Sequence, residues 1–98
     1  MTSDFVDIDT RIQELARTFP SLHRAPGVLE QWSANALDEW AATVASSGEK
    51  HSARFVLGVW NQYEEWRCGR FDLIEAVGTW DSRHHLAFMR WIEEPWFA

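Results

Sequence analysis

The residues best suited to chemistry are a carboxylate and two imidazoles in the last fifth of the chain. Asp81, His84 and His85 are three and four residues apart, so one helix would place Asp81 beside both rings. A carboxylate next to a histidine suits proton transfer or metal binding. His84 also falls on an apolar helix face, and no other His or Cys stands at a ligand spacing. We therefore expect a structural His84 and no metal or cofactor, with a metal-dependent or His-based enzyme as the alternative.

The lone thiol, Cys68, is a second candidate for chemistry. It lies between Arg67 and Arg70, and nearby positive charge can lower the pKa of a thiol. A nucleophilic cysteine also needs a base and an oxyanion hole, so packing is the simpler expectation. One cysteine cannot form an internal disulfide, and no signal peptide or membrane-length apolar run is visible. We expect a cytoplasmic protein.

Composition and net charge indicate a small folded domain and limit the classes of partner that it can bind. The chain has 98 residues, of which 46% are hydrophobic and seven are Trp, and its net charge is −6. Such a composition supports an aromatic core in a small domain. The negative charge opposes binding to nucleic acid or to an anionic membrane.

The periodicity of apolar residues predicts an all-α single domain, a compact four-helix bundle. The predicted helices cover about 4–19, 28–45, 49–67 and 72–94. Ser46 with Glu49 matches a capping box, and Asp72 with Glu75 matches its acidic analogue. The third helix is apolar around almost half its circumference, so it is either central or apolar on an exposed flank.

The predicted second helix has a negative outer face. Asp38 and Glu39 lie within it, and no basic residue occurs between Arg24 and Lys50. Adjacent helical residues point about 100° apart, so Asp38 and Glu39 cannot act as a catalytic carboxylate pair. Together with Glu30 and Glu49 they could instead form a negative strip that attracts a basic protein surface or imitates nucleic-acid phosphates.

More tryptophans are present than a small bundle needs in its core. Trp60, Trp96 and Phe97 are the aromatic residues least accounted for by the helical stripes. Because Trp and Arg are frequent in interface hot spots, our candidates for a protein interface are Trp60, Arg67, Arg70, Trp96 and Phe97, with Asp38 and Glu39 on the acidic helix. The alternative is that the tail folds back onto the bundle.

The carboxyl-terminal half is similar to a group of small helical proteins. The stretches that carry this similarity are 46–51, 53–57, 59–61, 66–72 and 80–88. They resemble tryptophan-rich proteins encoded on proteobacterial plasmids and integrated elements. The resemblance implies no particular activity and favours an accessory or counter-defence role.

Together these features predict a non-enzymatic protein-binding domain, of the kind that serves as an accessory adaptor or inhibitor encoded by a mobile element. The first alternative is a small metal-dependent or His/Cys-based enzyme. The second is a homodimer in which the apolar third helix and the tail of two copies bury each other.

Overall fold

Residues 7–98 are described by the computed structural model, and their regular structure is entirely helical. The all-α expectation is confirmed, but the number of helices differs from the predicted four. Within this range the elements are α1 (Ile8–Arg17), a 3-10 helix (Pro20–Leu22), α2 (Ala34–Thr43), α3 (Ser47–Trp60), α4 (Leu73–Thr79) and α5 (Ser82–Glu93). The predicted start of the first helix, at residues 4–6, lies outside the described residues.

Side-chain caps set the beginnings of α3 and α4. The Ser46 hydroxyl accepts the backbone N–H of Glu49 at 3.4 Å, and the Glu49 carboxylate accepts the backbone N–H of Ser46 at 2.7 Å. The predicted capping box is therefore confirmed. Asp72 accepts the backbone N–H of Glu75 at 3.0 Å and begins α4 in the same way.

The predicted fourth helix, 72–94, is wrong because it is two helices. Apolar residues recur at helical spacing across Trp80, which hid the interruption. The Asp81 carboxylate accepts the backbone N–H groups of Arg83 and His84, both at 3.1 Å. An aspartate bonded in this way starts a new helix instead of continuing the old one. The resulting corner sets the angle at which α5 leaves α4.

The predicted second helix begins six residues too early, at 28 instead of Ala34. Gly27 has φ +82°, and a Cβ there would lie 2.2 Å from the carbonyl oxygen of Ser33. That close approach closes a loop in which the Gly27 carbonyl accepts the backbone N–H of Ser33 at 3.0 Å. Gln13 on α1 donates to the Val28 carbonyl at 2.7 Å, so the loop is held by α1.

The third helix is central, as one of the two expectations had it, but it ends at Trp60 and not at 67. The Asn61 side chain accepts the backbone N–H of Tyr63 at 3.0 Å, and this turn ends the helix. α3 packs against α1, α2, α4 and the 3-10 helix. Its buried residues occupy several faces and are His51, Ser52, Ala53, Phe55, Val56, Leu57 and Val59.

An aromatic core joins the elements around α3. Phe19 is fully buried, and its ring lies 5.4 Å from those of Phe55 and Trp80. Phe55 in turn contacts Phe88 and Trp91 edge to face at 5.3 and 5.1 Å. Full burial of one such side chain contributes about 2 kcal/mol, so this cluster fixes α5 and the 3-10 helix against α3.

No helix within residues 7–98 has the length and apolar character needed to cross a bilayer.

Candidate functional site

A chain of hydrogen bonds links the 3-10 helix to the start of α5. Ser21 Oγ lies 2.8 Å from His84 Nε2, and His84 Nδ1 lies 2.7 Å from Asp81 Oδ1. This is the order of nucleophile, base and orienting carboxylate found in serine hydrolases. The expected contact between Asp81 and His84 is present. Ser21 adds the third member of the hydrogen-bonded chain, although it precedes His84 by 63 positions in the sequence.

The backbone of Ser21 fixes the tautomer of His84. The Ser21 N–H, which can only donate, points at His84 Nε2 over 3.2 Å. Nε2 must therefore accept, and Nδ1 carries the proton that is donated to Asp81. His84 is buried, and this arrangement satisfies both of its ring nitrogens. The predicted structural, hydrogen-bonded histidine is what these bonds describe.

A second layer of hydroxyl groups supports Ser21. Ser52 Oγ on α3 lies 2.9 Å from Ser21 Oγ and donates to the Gly48 carbonyl over 3.1 Å. The Trp80 indole N–H donates to Ser52 Oγ over 3.0 Å. Three elements thus meet in one network of polar groups, each with a partner, and such networks fix a single packing arrangement.

Asp81 and the two histidines do not converge on one point. His85 donates its ring Nε2–H to the Val77 carbonyl at 2.9 Å, at the carboxyl end of α4. The expectation that Asp81 lies beside both imidazoles is therefore wrong for His85.

Hydrogen bonding from His84 is the largest cause that lowers the pKa of Asp81 to about 2. Among residues 7–98, no three His, Cys, Asp or Glu side chains lie close enough to hold a metal ion together.

Cys68 is buried, and its surroundings oppose ionisation. Burial, followed by the hydrogen bond and the negative charge of Asp38, raises the pKa of the Cys68 thiol to about 12. Arg54 acts in the opposite direction but is a smaller influence. Nearby positive charge therefore does not lower the pKa of this thiol, in contrast to the possibility raised from the sequence. Cys68 packs in the core, which was the simpler expectation.

Asp38 is not part of an exposed acidic surface, and that prediction is wrong. It is 7% exposed, and its two carboxylate oxygens accept the backbone N–H groups of Arg67 and Cys68 at 3.0 and 2.9 Å. Of the predicted pair only Glu39 is exposed on α2. The side chains of Arg67 and Arg70 are also exposed, on the loop that Asp38 holds.

Trp60 and Trp96 are half-buried and packed against the core. The Trp60 ring lies 5.3 Å from that of Trp32. The Arg11 guanidinium lies 4.0 Å from the centre of the Trp96 ring, a cation–π contact with α1. The backbone N–H of Ala98 donates to the Val59 carbonyl at 3.0 Å. The tail therefore folds back onto the bundle, as the alternative predicted.

A shallow groove of about 290 Å³ runs between the end of α3, the loop before α4, and α5. We call it the aromatic groove. Its lining is apolar apart from Gln62 and consists otherwise of Phe55, Gly58, Val59, Phe71, Phe88, Trp91 and Phe97. Phe97 stays 53% exposed while its ring meets Trp91 edge to face at 5.6 Å. Of the predicted interface residues, Phe97 is the one that lines this groove.

Exposed apolar side chains continue the aromatic groove along α5. Ile92 is four residues after Phe88 and three after Met89, so helical spacing places all three on one side. Met89 and Ile92 are 57% and 47% exposed. This surface lies where the later part of α5 meets the folded tail and the end of α3. Sequence periodicity did not indicate it, because Phe88 and Trp91 lie on the stripe that predicted a buried face.

Comparison of the chain with protein-family models, with curated proteins and with solved structures gave no match in any of the three.

Proposed function

We propose that this chain is a non-enzymatic protein-binding domain and that the aromatic groove is its contact surface. The observation that carries the proposal is an apolar groove of about 290 Å³ with a half-exposed aromatic residue, Phe97, at its edge. Exposed apolar surface of this kind is unfavourable in water and is typical of sites that a partner covers. Aromatic side chains near the centre of such a site dominate binding energy.

The partner we propose presents an apolar side chain or an amphipathic helix. The aromatic groove continues into the exposed α5 side chains Met89 and Ile92, so the whole surface is elongated. An elongated apolar surface suits the apolar face of a helix, whose anchors recur every three or four residues. Net charge of −6 favours a partner with basic residues flanking its apolar face.

The proposed biological role is that of an adaptor or inhibitor encoded by a mobile element and acting in the cytoplasm. Its support is the resemblance of the stretches named above, in the carboxyl-terminal half, to proteins of plasmids and integrated elements, and the single, buried cysteine. Both are compatible with a small accessory protein that acts by covering a surface of its target.

Two glycines allow a matched test. Gly58 lines the aromatic groove and Gly78 does not, and a Cβ at either position meets no atom within 4 Å. Both are helical, so replacing glycine by leucine favours the helix by about 0.5–1 kcal/mol. Gly58→Leu should fill the groove and weaken partner binding at least tenfold, while Gly78→Leu should bind as wild type does.

The binding assay starts with proteins co-purified from lysates of several bacterial hosts by the wild-type chain. Any captured protein is then titrated against both glycine variants by calorimetry. Equal affinity of Gly58→Leu and Gly78→Leu would remove the aromatic groove from the proposal. Failure to retain any protein from all hosts would count against protein binding itself.

A second copy of the chain is the alternative occupant of the aromatic groove. This is the predicted homodimer of the third helix and the tail, since α3 contributes Phe55, Gly58 and Val59 to the groove and the tail contributes Phe97. The exposed side chains of Met89, Ile92 and Phe97 could pair between copies. Sedimentation at two concentrations distinguishes this case, and Gly58→Leu should dissociate such a dimer while Gly78→Leu leaves it intact.

A serine hydrolase is the second candidate function, and the one observation that favours it is the Ser21–His84–Asp81 chain of 2.8 and 2.7 Å bonds. Catalysis would require His84 Nε2 to take the Ser21 hydroxyl proton. A fluorophosphonate probe tests this directly. Labelling of wild type but not of Ser21→Ala would support a hydrolase, and no labelling of wild type would exclude this mechanism.

A further inference from the structure

A second concave surface, partly lined by Ser21, is charged where the aromatic groove is apolar. It is a cleft of about 650 Å³ between the end of α1, the 3-10 helix, α2 and the beginnings of α3 and α5. Its charged and aromatic lining residues are Arg17, His23, Arg24, Trp40, Glu49 and Arg83. We call it the arginine cleft. Its volume is within the range of small-molecule sites.

The arginine cleft is a local concentration of positive charge in an acidic chain. Three of the eight arginines line it, although the net charge of the chain is −6. Among residues 7–98, no carboxylate oxygen lies within 4.0 Å of a guanidinium nitrogen of Arg17, Arg24 or Arg83. Like charges brought together without partners repel each other. A bound anion would relieve that repulsion.

Glu49, the carboxylate in this lining, offsets one of the three arginine charges and leaves an excess of two positive charges. Its Oε1 accepts the backbone N–H of Ser46 at 2.7 Å as part of the capping box. The carboxylate is therefore engaged at the beginning of α3. The charge that remains toward the arginine cleft is positive, and guanidinium groups bind phosphate and carboxylate oxygens in pairs of parallel hydrogen bonds.

The three arginines are held to different degrees. Arg17 donates to the carbonyls of Val28 and Leu29 at 3.3 and 2.8 Å, which fixes its side chain on the wall. The guanidinium groups of Arg24 and Arg83 donate no hydrogen bond within the described part of the chain, and both residues are exposed. No residue of 7–98 therefore occupies their guanidinium donors.

We infer that the arginine cleft binds a small ligand that carries a phosphate or carboxylate group and a planar apolar part. Arg24 and Arg83 hold the anionic group, with Arg17 as a fixed positive charge behind them. The half-buried indole of Trp40 is the apolar wall for the planar part. This site is separate from the aromatic groove, and the two proposals can fail independently.

Calorimetry with four defined probes tests the inference. Inorganic pyrophosphate and citrate supply phosphate and carboxylate charge, while adenosine monophosphate and adenosine share a planar ring and differ in the phosphate. We expect binding of adenosine monophosphate together with pyrophosphate, citrate or both, and at least tenfold weaker binding of adenosine. No heat from any anion at millimolar concentration, or equal binding of adenosine, would overturn the inference.

Two double variants with the same change in net charge separate a site from general electrostatic attraction. Arg24→Gln with Arg83→Gln removes the free donors of the arginine cleft. Arg67→Gln with Arg70→Gln removes two exposed arginines elsewhere. The first pair should weaken anion binding at least tenfold and the second less than twofold. Equal weakening by both pairs would show that no specific site exists.

Discussion

The carboxylate of Asp38 on α2 accepts the backbone N–H of Cys68, thirty residues later, at 2.9 Å. Its other oxygen accepts the N–H of Arg67 at 3.0 Å, and Arg54 on α3 donates to the Cys68 carbonyl. The backbone N–H and C=O groups of Cys68 are thus both held by charged side chains from two different helices. The loop from 61 to 72 has no regular structure of its own, so these contacts position it over the core.

Removing the Asp38 carboxylate should therefore destabilise the protein although no apolar contact is lost. Asp38→Ala leaves two backbone N–H groups without acceptors, which should lower the free energy of unfolding by about 2–4 kcal/mol. The neighbouring Glu39 is exposed, so Glu39→Ala should change it by less than about 0.5 kcal/mol. Urea denaturation of both variants measures the difference, and similar values would contradict the role assigned to Asp38.

The thiol of Cys68 should be unreactive in the folded protein at pH 8. Its pKa is raised to about 12, first by burial, and only the thiolate is nucleophilic. Iodoacetamide should modify Cys68 in urea but leave the native chain unmodified over the same time. Rapid alkylation of the folded wild-type protein and of folded Asp38→Glu, but not of Cys68→Ala, would contradict this prediction. It would show that the thiol of Cys68 is accessible and ionised.

The raised pKa of Cys68 also makes the stability of the folded protein depend on pH. An unfolded chain ionises Cys68 near 9.0 and the folded chain near 12, so the folded state binds the proton more tightly between these values. Stability is complete below pH 9 and falls as pH rises toward 12. Comparison of wild type with Cys68→Ala isolates this effect, because other groups titrate equally in both.

Local signals in the sequence predicted several features of the fold. The Ser46–Glu49 capping box and the Asp72 cap each require only residues three apart. They operate through backbone groups that any helix start leaves free. Gly69 has a φ of +97°, a left-handed conformation that glycine adopts without strain. Such features depend on short-range geometry, which the order of residues fully specifies.

Features of the fold that depend on contacts between residues far apart in the sequence were not predicted. The late start of α2 follows from Gln13 and Arg17, which hold the 28–29 backbone from α1. Ser21 was overlooked because its partner His84 is 63 residues away. The burial of Asp38 likewise requires the fold to bring the 67–68 peptide to α2. Periodicity reports which face of a helix is apolar and not which polar group meets it.

Trp60 should contribute to stability more than to partner binding. Its ring packs on that of Trp32 at 5.3 Å, which departs from the expectation that it serves an exposed interface. Trp60→Ala should lower the free energy of unfolding by about 2 kcal/mol, less than the 3–5 kcal/mol typical of a fully buried tryptophan. Trp60→Phe retains an aromatic contact and should lose about half as much. Denaturant titration showing no loss in Trp60→Ala would return Trp60 to the interface candidates.

Asp81 should make the protein sensitive to acid. Its pKa is lowered from 3.8 to about 2, mainly by hydrogen bonding with His84. The unfolded chain therefore takes up this proton first as pH falls, and stability that is complete above about pH 4 is lost toward pH 2. Asp81→Asn keeps a residue that caps helices well but cannot titrate, so its stability should change less over this interval.

Asp72→Asn is the matched control, because Asp72 also begins a helix and has no histidine partner among residues 7–98. Thermal unfolding followed by circular dichroism from pH 2 to pH 5 measures all three proteins. The difference between wild type and Asp81→Asn should shrink as pH falls below 4, and Asp72→Asn shows what the same exchange does at a helix start without a histidine partner. A difference for Asp81→Asn that is constant across the interval would mean that the His84 hydrogen bond does not favour the ionised carboxylate.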